Sequence, residues 1–210
     1  VSAGRAIALT QDDEARTVVS DDVVLVRGTY AAIENDTFSA DDQILRSGSG
    51  VLFNDRAGRS IVATARSLVD ASFTETDGWG DLEITGEQIK VQHLDGTVMR
   101  AGRVWVDPLG SDIAVLVLED AKPDLLVTPS NRLMFDSEGD ASAERLLRAA
   151  GPDGAEMPSQ PITDLKISDS NLGGGVFAGD RVVGILGRKA GGEESAIVLL
   201  KRLPSDLKPQ

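Results

Sequence analysis

Apolar residues recur along this chain in short blocks cut by Gly, Asp and charged turns, a pattern of strands rather than helices. Val23-Val24-Leu25-Val26 and Gly50-Val51-Leu52-Phe53 are apolar runs with polar or Gly boundaries. Ile61-Val62-Ala63-Thr64 follows the turn signal Asp55-Arg56-Ala57-Gly58-Arg59. Ile89-Lys90-Val91-Gln92-His93-Leu94 alternates in part and stops at Asp95-Gly96, a dipeptide that tolerates positive φ. That predicts a tight hairpin into Thr97-Val98-Met99-Arg100 and on to Val104-Trp105-Val106. Ile113-Ala114-Val115-Leu116-Val117-Leu118 is unbroken and predicts a strand buried on both faces. Val182-Val183-Gly184-Ile185-Leu186, preceded by the turn Ala178-Gly179-Asp180-Arg181, and Ala196-Ile197-Val198-Leu199-Leu200 predict two more. Ser142 to Ala150 reads either as a short helix or as a strand ending at Gly151-Pro152-Asp153-Gly154. Strands at roughly ten-residue spacing with Gly and Asp turns predict an all-β barrel or sandwich.

A length of 210 residues fits one all-β unit or two small barrels, and 41% hydrophobic residues is enough to build a core. Charge narrows the function classes: 21 Lys+Arg against 34 Asp+Glu gives −13, which disfavours a basic nucleic-acid face. With no Cys, disulfides, thiol nucleophiles and Cys-based metal sites are excluded. The single His leaves carboxylates as the ligands of any metal, so no metal and no cofactor are expected. No stretch approaches the ~20 apolar residues that span a bilayer, so no membrane insertion is expected. The sequence opens at Val1 without a charged and apolar leader, so any targeting segment is expected to lie outside it. Asp12-Asp13-Glu14, Asp21-Asp22, Asp41-Asp42 and Glu193-Glu194 read as solvated loop charge. Asp136-Ser137-Glu138-Gly139-Asp140 fails the EF-hand spacing. Trp79, between Gly78 and Gly80, reads equally as a contact residue or a loop anchor.

Three blocks, in order, carry a resemblance. Ser47-Gly48-Ser49-Gly50-Val51-Leu52 is followed by Ile61-Val62-Ala63-Thr64-Ala65-Arg66-Ser67-Leu68-Val69. Leu94-Asp95-Gly96 leads through Asp107 to Ser111-Asp112-Ile113-Ala114-Val115-Leu116. Ser170-Asn171-Leu172-Gly173-Gly174-Gly175-Val176 precedes Asp180-Arg181-Val182-Val183-Gly184-Ile185. Together they resemble trypsin-like serine proteases of the HtrA (Deg) type, whose blocks read GSGV, then I-V-T-N-A-H-V-V, then DIAVL, then G-N-S-G-G-P-L. The resemblance implies an all-β, two-barrel trypsin-like (chymotrypsin) fold. It divides the chain into a lead-in over 1–17, an N-terminal barrel over 18–119, a shortened C-terminal barrel over 120–203 and a tail over 204–210. The polar stretch Glu119-Asp120-Ala121-Lys122-Pro123 is the expected boundary. It also implies an extracytoplasmic address (periplasmic, lumenal or secreted).

Carried across residue by residue, the motif is broken. That family's chemistry needs a Ser oxygen, an imidazole to take its proton and a carboxylate to orient the imidazole. Here Arg66 stands for the His, and a guanidinium is always protonated near neutral pH. Leu172 stands for the nucleophile and has no heteroatom. Asp112 alone remains. Ser170 replaces the first Gly of the oxyanion loop, Asn171, Gly173 and Gly174 persist, and Gly175 replaces the Pro. If the fold holds, Arg66 is expected to pair with Asp112. An anion cradle at Gly173-Gly174-Gly175 is the rival to plain turn geometry. The expectation is a pseudoprotease: a protein- or peptide-binding, scaffold or regulatory module without catalysis. One alternative is a serine endopeptidase with a nucleophile relocated to Ser170 or Ser168, for which His93, Lys166 and Lys189 are the bases to weigh. His93 sits in a block that does not face the family's cleft. Another is a structural or assembly β-barrel.

Overall fold

The apolar runs form strands, and the first of these strands close on themselves. The computed structural model describes residues 22–34, 37–70, 73, 83–93, 96–119, 134–136, 145–150, 156–161, 169–189 and 195–209. The expected lead-in, the boundary at 120–123, the turn at 151–154, Trp79, Lys166, Ser168 and residues 137–140 lie outside them. β1 (Val23–Glu34), β2 (Thr37–Asn54), β3 (Ser60–Thr64), β4 (Glu83–Gln92), β5 (Val98–Val106) and β6 (Ala114–Glu119) make a closed antiparallel barrel in the order β1-β2-β3-β6-β5-β4. One helical turn, α1 (Arg66–Val69), follows β3. The β4–β5 turn is tight as predicted: Gly96 takes φ +87°, and the His93 N–H donates to Thr97 O at 2.9 Å.

A second sheet follows. β7 (Met134–Phe135), β8 (Arg145–Ala150), β9 (Glu156–Pro161), β10 (Gly175–Ala178), β11 (Arg181–Arg188) and β12 (Ser195–Leu199) order as β12-β11-β10-β8-β9, with β7 parallel to β11. Residues 145–150 are therefore strand and not helix: pairing with β9 and β10 decides what local propensity leaves open. β9 carries Pro158 and Pro161, which lack the N–H of a ladder, and it occupies the sheet's edge, where a missing donor costs little.

Side-chain alternation explains why β2, β3 and β6 are apolar on successive residues. Leu52, Val62, Ala114 and Leu116 fill one cluster with Val24, Val26, Ile89, Val91 and Met99 from the rest of the barrel. Val51, Phe53, Ile61, Ala63 and Val115 point the other way and pack on Phe177, Val182, Ile185 and Val198 of the second sheet. The barrel wall is thus the floor of the second core, and the predicted double burial of 113–116 follows from it. Each fully buried Leu or Ile side chain contributes roughly 1.5–3 kcal/mol. Leu203 and Leu207, past the 3-10 turn Leu200–Arg202, enter the same cluster, and Pro209 bridges to Asp55.

Candidate functional site

The three motif blocks are in contact with one another, and the carboxylate among them is fully buried. Asp112 Oδ1 accepts the Ser67 N–H at 2.6 Å, while Oδ2 accepts the Ser67 hydroxyl at 2.9 Å and the Arg188 N–H at 2.7 Å. Burial pushes the Asp112 carboxyl above the usual carboxylate range. The donors from Ser67 and Arg188, and the nearby Arg188 charge, oppose that rise without cancelling it.

Arg66 is elsewhere. Its Nε lies 2.7 Å from Asp70 Oδ2, and its guanidinium sits 4.8 Å above the Phe73 ring. The expected Arg66–Asp112 pair does not form: Asp112 faces the residue one position later, and Asp70 takes the Arg66 charge. The physical reason is the way α1 is held. A one-turn helix cannot satisfy its own carbonyls, so the surroundings do it. Asp70 N–H donates to Arg66 O at 2.8 Å, Arg46 Nη1 to Ser67 O at 2.8 Å, the Tyr30 hydroxyl to Leu68 O at 2.7 Å, and Arg103 Nη1 to Val69 O at 2.6 Å. Arg103 also contacts Glu87 at 3.0 Å and Asp70 at 3.6 Å. These bonds fix the turn so that Ser67 faces the carboxylate and Arg66 faces the Asp70 side.

Sequence reasoning missed Ser67, yet a signal was present. The segment Ile61–Val69 has nine residues where the motif I-V-T-N-A-H-V-V has eight. Counting from its apolar end puts Ser67, not Arg66, at the His.

The glycine loop is stitched to β2. Ser49 N–H donates to Leu172 O at 2.7 Å, and Ser49 Oγ donates to Ser170 O at 2.9 Å and accepts from Ala150 N–H at 2.8 Å. Gly173 takes φ +79°, and a Cβ there would collide with Ser49 O and Thr64 Oγ1, so only glycine fits. Gly173 N–H donates to Leu186 O at 2.7 Å and Gly174 N–H to Asn171 O at 3.1 Å. Gly175 begins β10. Both of those N–H groups are spent inside the fold, so the run is turn geometry and not an anion cradle. Asn171 is buried in the 3-10 turn Asp169–Asn171, and its Oδ1 has no hydrogen-bond partner among the described residues.

Leu172 is 1% exposed and packs in the barrel cluster with Ala65, Leu68 and Val69. It is the one residue beyond β6 in that cluster, among those described. Above it opens a cleft of about 140 Å³ lined by Leu45, Arg46, Ser47, Ser67, Leu68, Leu172 and Arg188. His93 lies at the β4–β5 hairpin and does not line the cleft. Lys189, the residue after β11, does not line it either. Among the described residues no group of three His, Asp or Glu side chains is placed to hold a metal ion. No helix among them is long and apolar enough to cross a membrane.

Fold and site together define an all-β protein with a closed six-stranded antiparallel barrel, a second sheet packed on its wall, and a small cleft with arginine, serine and leucine walls. Set against known proteins, the chain matches no family model and no curated protein.

Proposed function

We propose that this chain is a catalytically inactive trypsin-like protease domain of the HtrA type, and that it acts as a protein- or peptide-binding module. The observation that carries the reading is the chemistry of the cleft. Its lining consists of two guanidiniums, two serines and aliphatic side chains, with no group able to take a proton near neutral pH. Leu172 occupies the motif's nucleophile position and is sealed in the barrel core. The contacts among the three motif blocks, Ser67 with the buried Asp112 and Ser49 with Leu172, beside a closed barrel and a second, mostly antiparallel sheet, support the two-barrel reading of the fold. Burial of apolar faces holds those sheets together and needs no triad, so loss of the chemistry leaves the architecture intact.

A fluorophosphonate probe and casein hydrolysis test the proposal. The unmodified chain is expected to show neither labelling nor turnover, and labelling of Ser67, Ser170 or Ser168 would overturn it. The geometry also selects the restoring variant. Ser67→His with Leu172→Ser sets an imidazole on Asp112, whereas Arg66→His with Leu172→Ser sets one on Asp70. Probe labelling of the first pair but not the second is the expected result.

A further inference from the structure

We propose that the cleft between β2, α1 and the Leu172 loop binds the free C-terminal carboxylate of a peptide whose last side chain is small and apolar. This deepens the peptide-binding reading and rests on it.

Charge distribution is the first argument. On a chain of net charge −13, four described arginines are answered by carboxylates: Arg66 by Asp70, Arg103 by Asp70 and Glu87, Arg59 by Asp55, Arg202 by Asp107. Arg188 lines one wall of the cleft, with its charge acting on the buried Asp112. Arg46, on the other wall, forms no ion pair among the described residues. One of its donors goes to Ser67 O, and its guanidinium lies 5.7 Å from the Tyr30 ring centroid. A guanidinium has five N–H donors in a fork that matches a carboxylate. The cleft is therefore a local cationic point on an acidic surface. Such a surface repels a polyanion and admits one carboxylate on an uncharged body.

Size and lining set the group beside the carboxylate. A free volume of about 140 Å³ is close to the ~150 Å³ of an engineered cavity that holds benzene. That is room for one Val- or Leu-sized side chain, with the exposed Leu45 as its main apolar contact beside the edges of the buried Leu68 and Leu172.

The strand edge selects a peptide over a free acid. β3 pairs with β2 only from Gly50 to Asn54, whereas β1 pairs with β2 across Leu45–Gly48 as well. Ser49 N–H already points away from β1, to Leu172 O. In an antiparallel ladder alternate residues face the same edge. The backbone N–H and C=O of Ser47 therefore face that edge too, beside the cleft that Ser47 lines. An extended chain end laid there would add main-chain hydrogen bonds to the Arg46 contact.

The test is retention of the full chain on N-acetylated hexapeptides of random interior ending in Val, Leu or Ala, each made as the free acid and as the amide. Acids are expected to bind at least about tenfold tighter than amides, since a charge-assisted bidentate contact is lost in the amide. Arg46→Gln should abolish the difference and Arg46→Lys retain part of it. The acid–amide comparison on the unmodified chain needs no variant to fold. Equal binding of acids and amides would overturn the carboxylate proposal while leaving peptide binding in place. Binding of neither set would overturn both. Isovalerate competing as strongly per molecule as the best acid peptide would overturn the peptide in favour of a small free carboxylate.

Discussion

Replacing Asp112 by Asn keeps the shape of the side chain and removes one of its acceptor oxygens, which makes it the sharpest probe of the site. Donors reach both oxygens: Ser67 N–H on Oδ1 at 2.6 Å, and Ser67 Oγ at 2.9 Å and Arg188 N–H at 2.7 Å on Oδ2. An amide presents one oxygen and one NH2. With the NH2 at the Oδ1 position it confronts the Ser67 N–H; at the Oδ2 position it confronts the Arg188 N–H. The serine hydroxyl can rotate to accept, but a backbone N–H cannot, so either orientation buries one donor without an acceptor. That costs about 1–3 kcal/mol. The surviving bonds also become neutral, and charge-assisted bonds are roughly twice as strong as neutral ones. Relief of the carboxylate's burial returns part of this. A net loss of about 2 kcal/mol follows, a large share of a stability that is typically ~5–15 kcal/mol.

The measurement is urea denaturation at neutral pH, followed by tryptophan fluorescence, to which Trp105, packed against the core, contributes. Ser67→Ala, which removes a single hydroxyl donor, should cost about 1 kcal/mol. The pH dependence gives an independent sign. Burial raises the Asp112 pKa in the fold, so protonation favours the folded state: that stability is complete below the unfolded pKa and is lost as pH rises through the folded one. Asp112→Asn cannot make this gain, so its deficit against the parent should widen on acidification from neutrality. An Asp112→Asn protein within about 0.5 kcal/mol of the parent, or less sensitive than Ser67→Ala, would refute the assignment of Asp112 as the anchor of α1 and β11.

Two further outcomes follow from the same site and its neighbours. Leu172→Ala should cost about 2–5 kcal/mol by opening a cavity in the barrel cluster, whereas Leu172→Met should cost less than about 1.5 kcal/mol; paired denaturation curves separate a core role from a surface one. Asp107 behaves oppositely to Asp112: burial pushes its carboxyl up, but the Leu109 N–H, Ser111 and the Arg202 charge outweigh that and leave it below the usual range. Its contribution is therefore present above the unfolded pKa and lost as pH falls through the folded one, so Asp107→Asn should flatten the acid limb of a stability–pH profile.

Strands that face two cores were legible because both faces are apolar. Ile61–Thr64 and Ile113–Leu116 are buried at every position, and their unbroken runs of apolar and β-branched residues announce that in the sequence. β8 and β9 were not. Arg145-Leu146-Leu147-Arg148 is compatible with a helix, and Pro158 and Pro161 argue against any strand until the sheet supplies an edge to hold them. The length of β2 was hidden for a similar reason. The polar part of its 18 residues pairs with β1, while β3 pairs only with Gly50–Asn54, and its polar sequence carries no strand-like apolar run.

The site was legible to within one residue, and that residue matters. Arg66 and Ser67 are neighbours in sequence, but a helical turn sends neighbouring side chains about 100° apart. Which of them meets Asp112 was therefore settled by how α1 is anchored. The anchors are Arg46 and Tyr30, one each on β2 and β1, together with Arg103 on β5. No motif spanning Ile61–Val69 contains them. Whatever chemistry the cleft performs follows from that placement. Arg66 spends its charge on Asp70, and Asp112 spends its acceptors on structure. Arg46, recruited from the barrel wall to cap a carbonyl, lines the cleft together with Arg188.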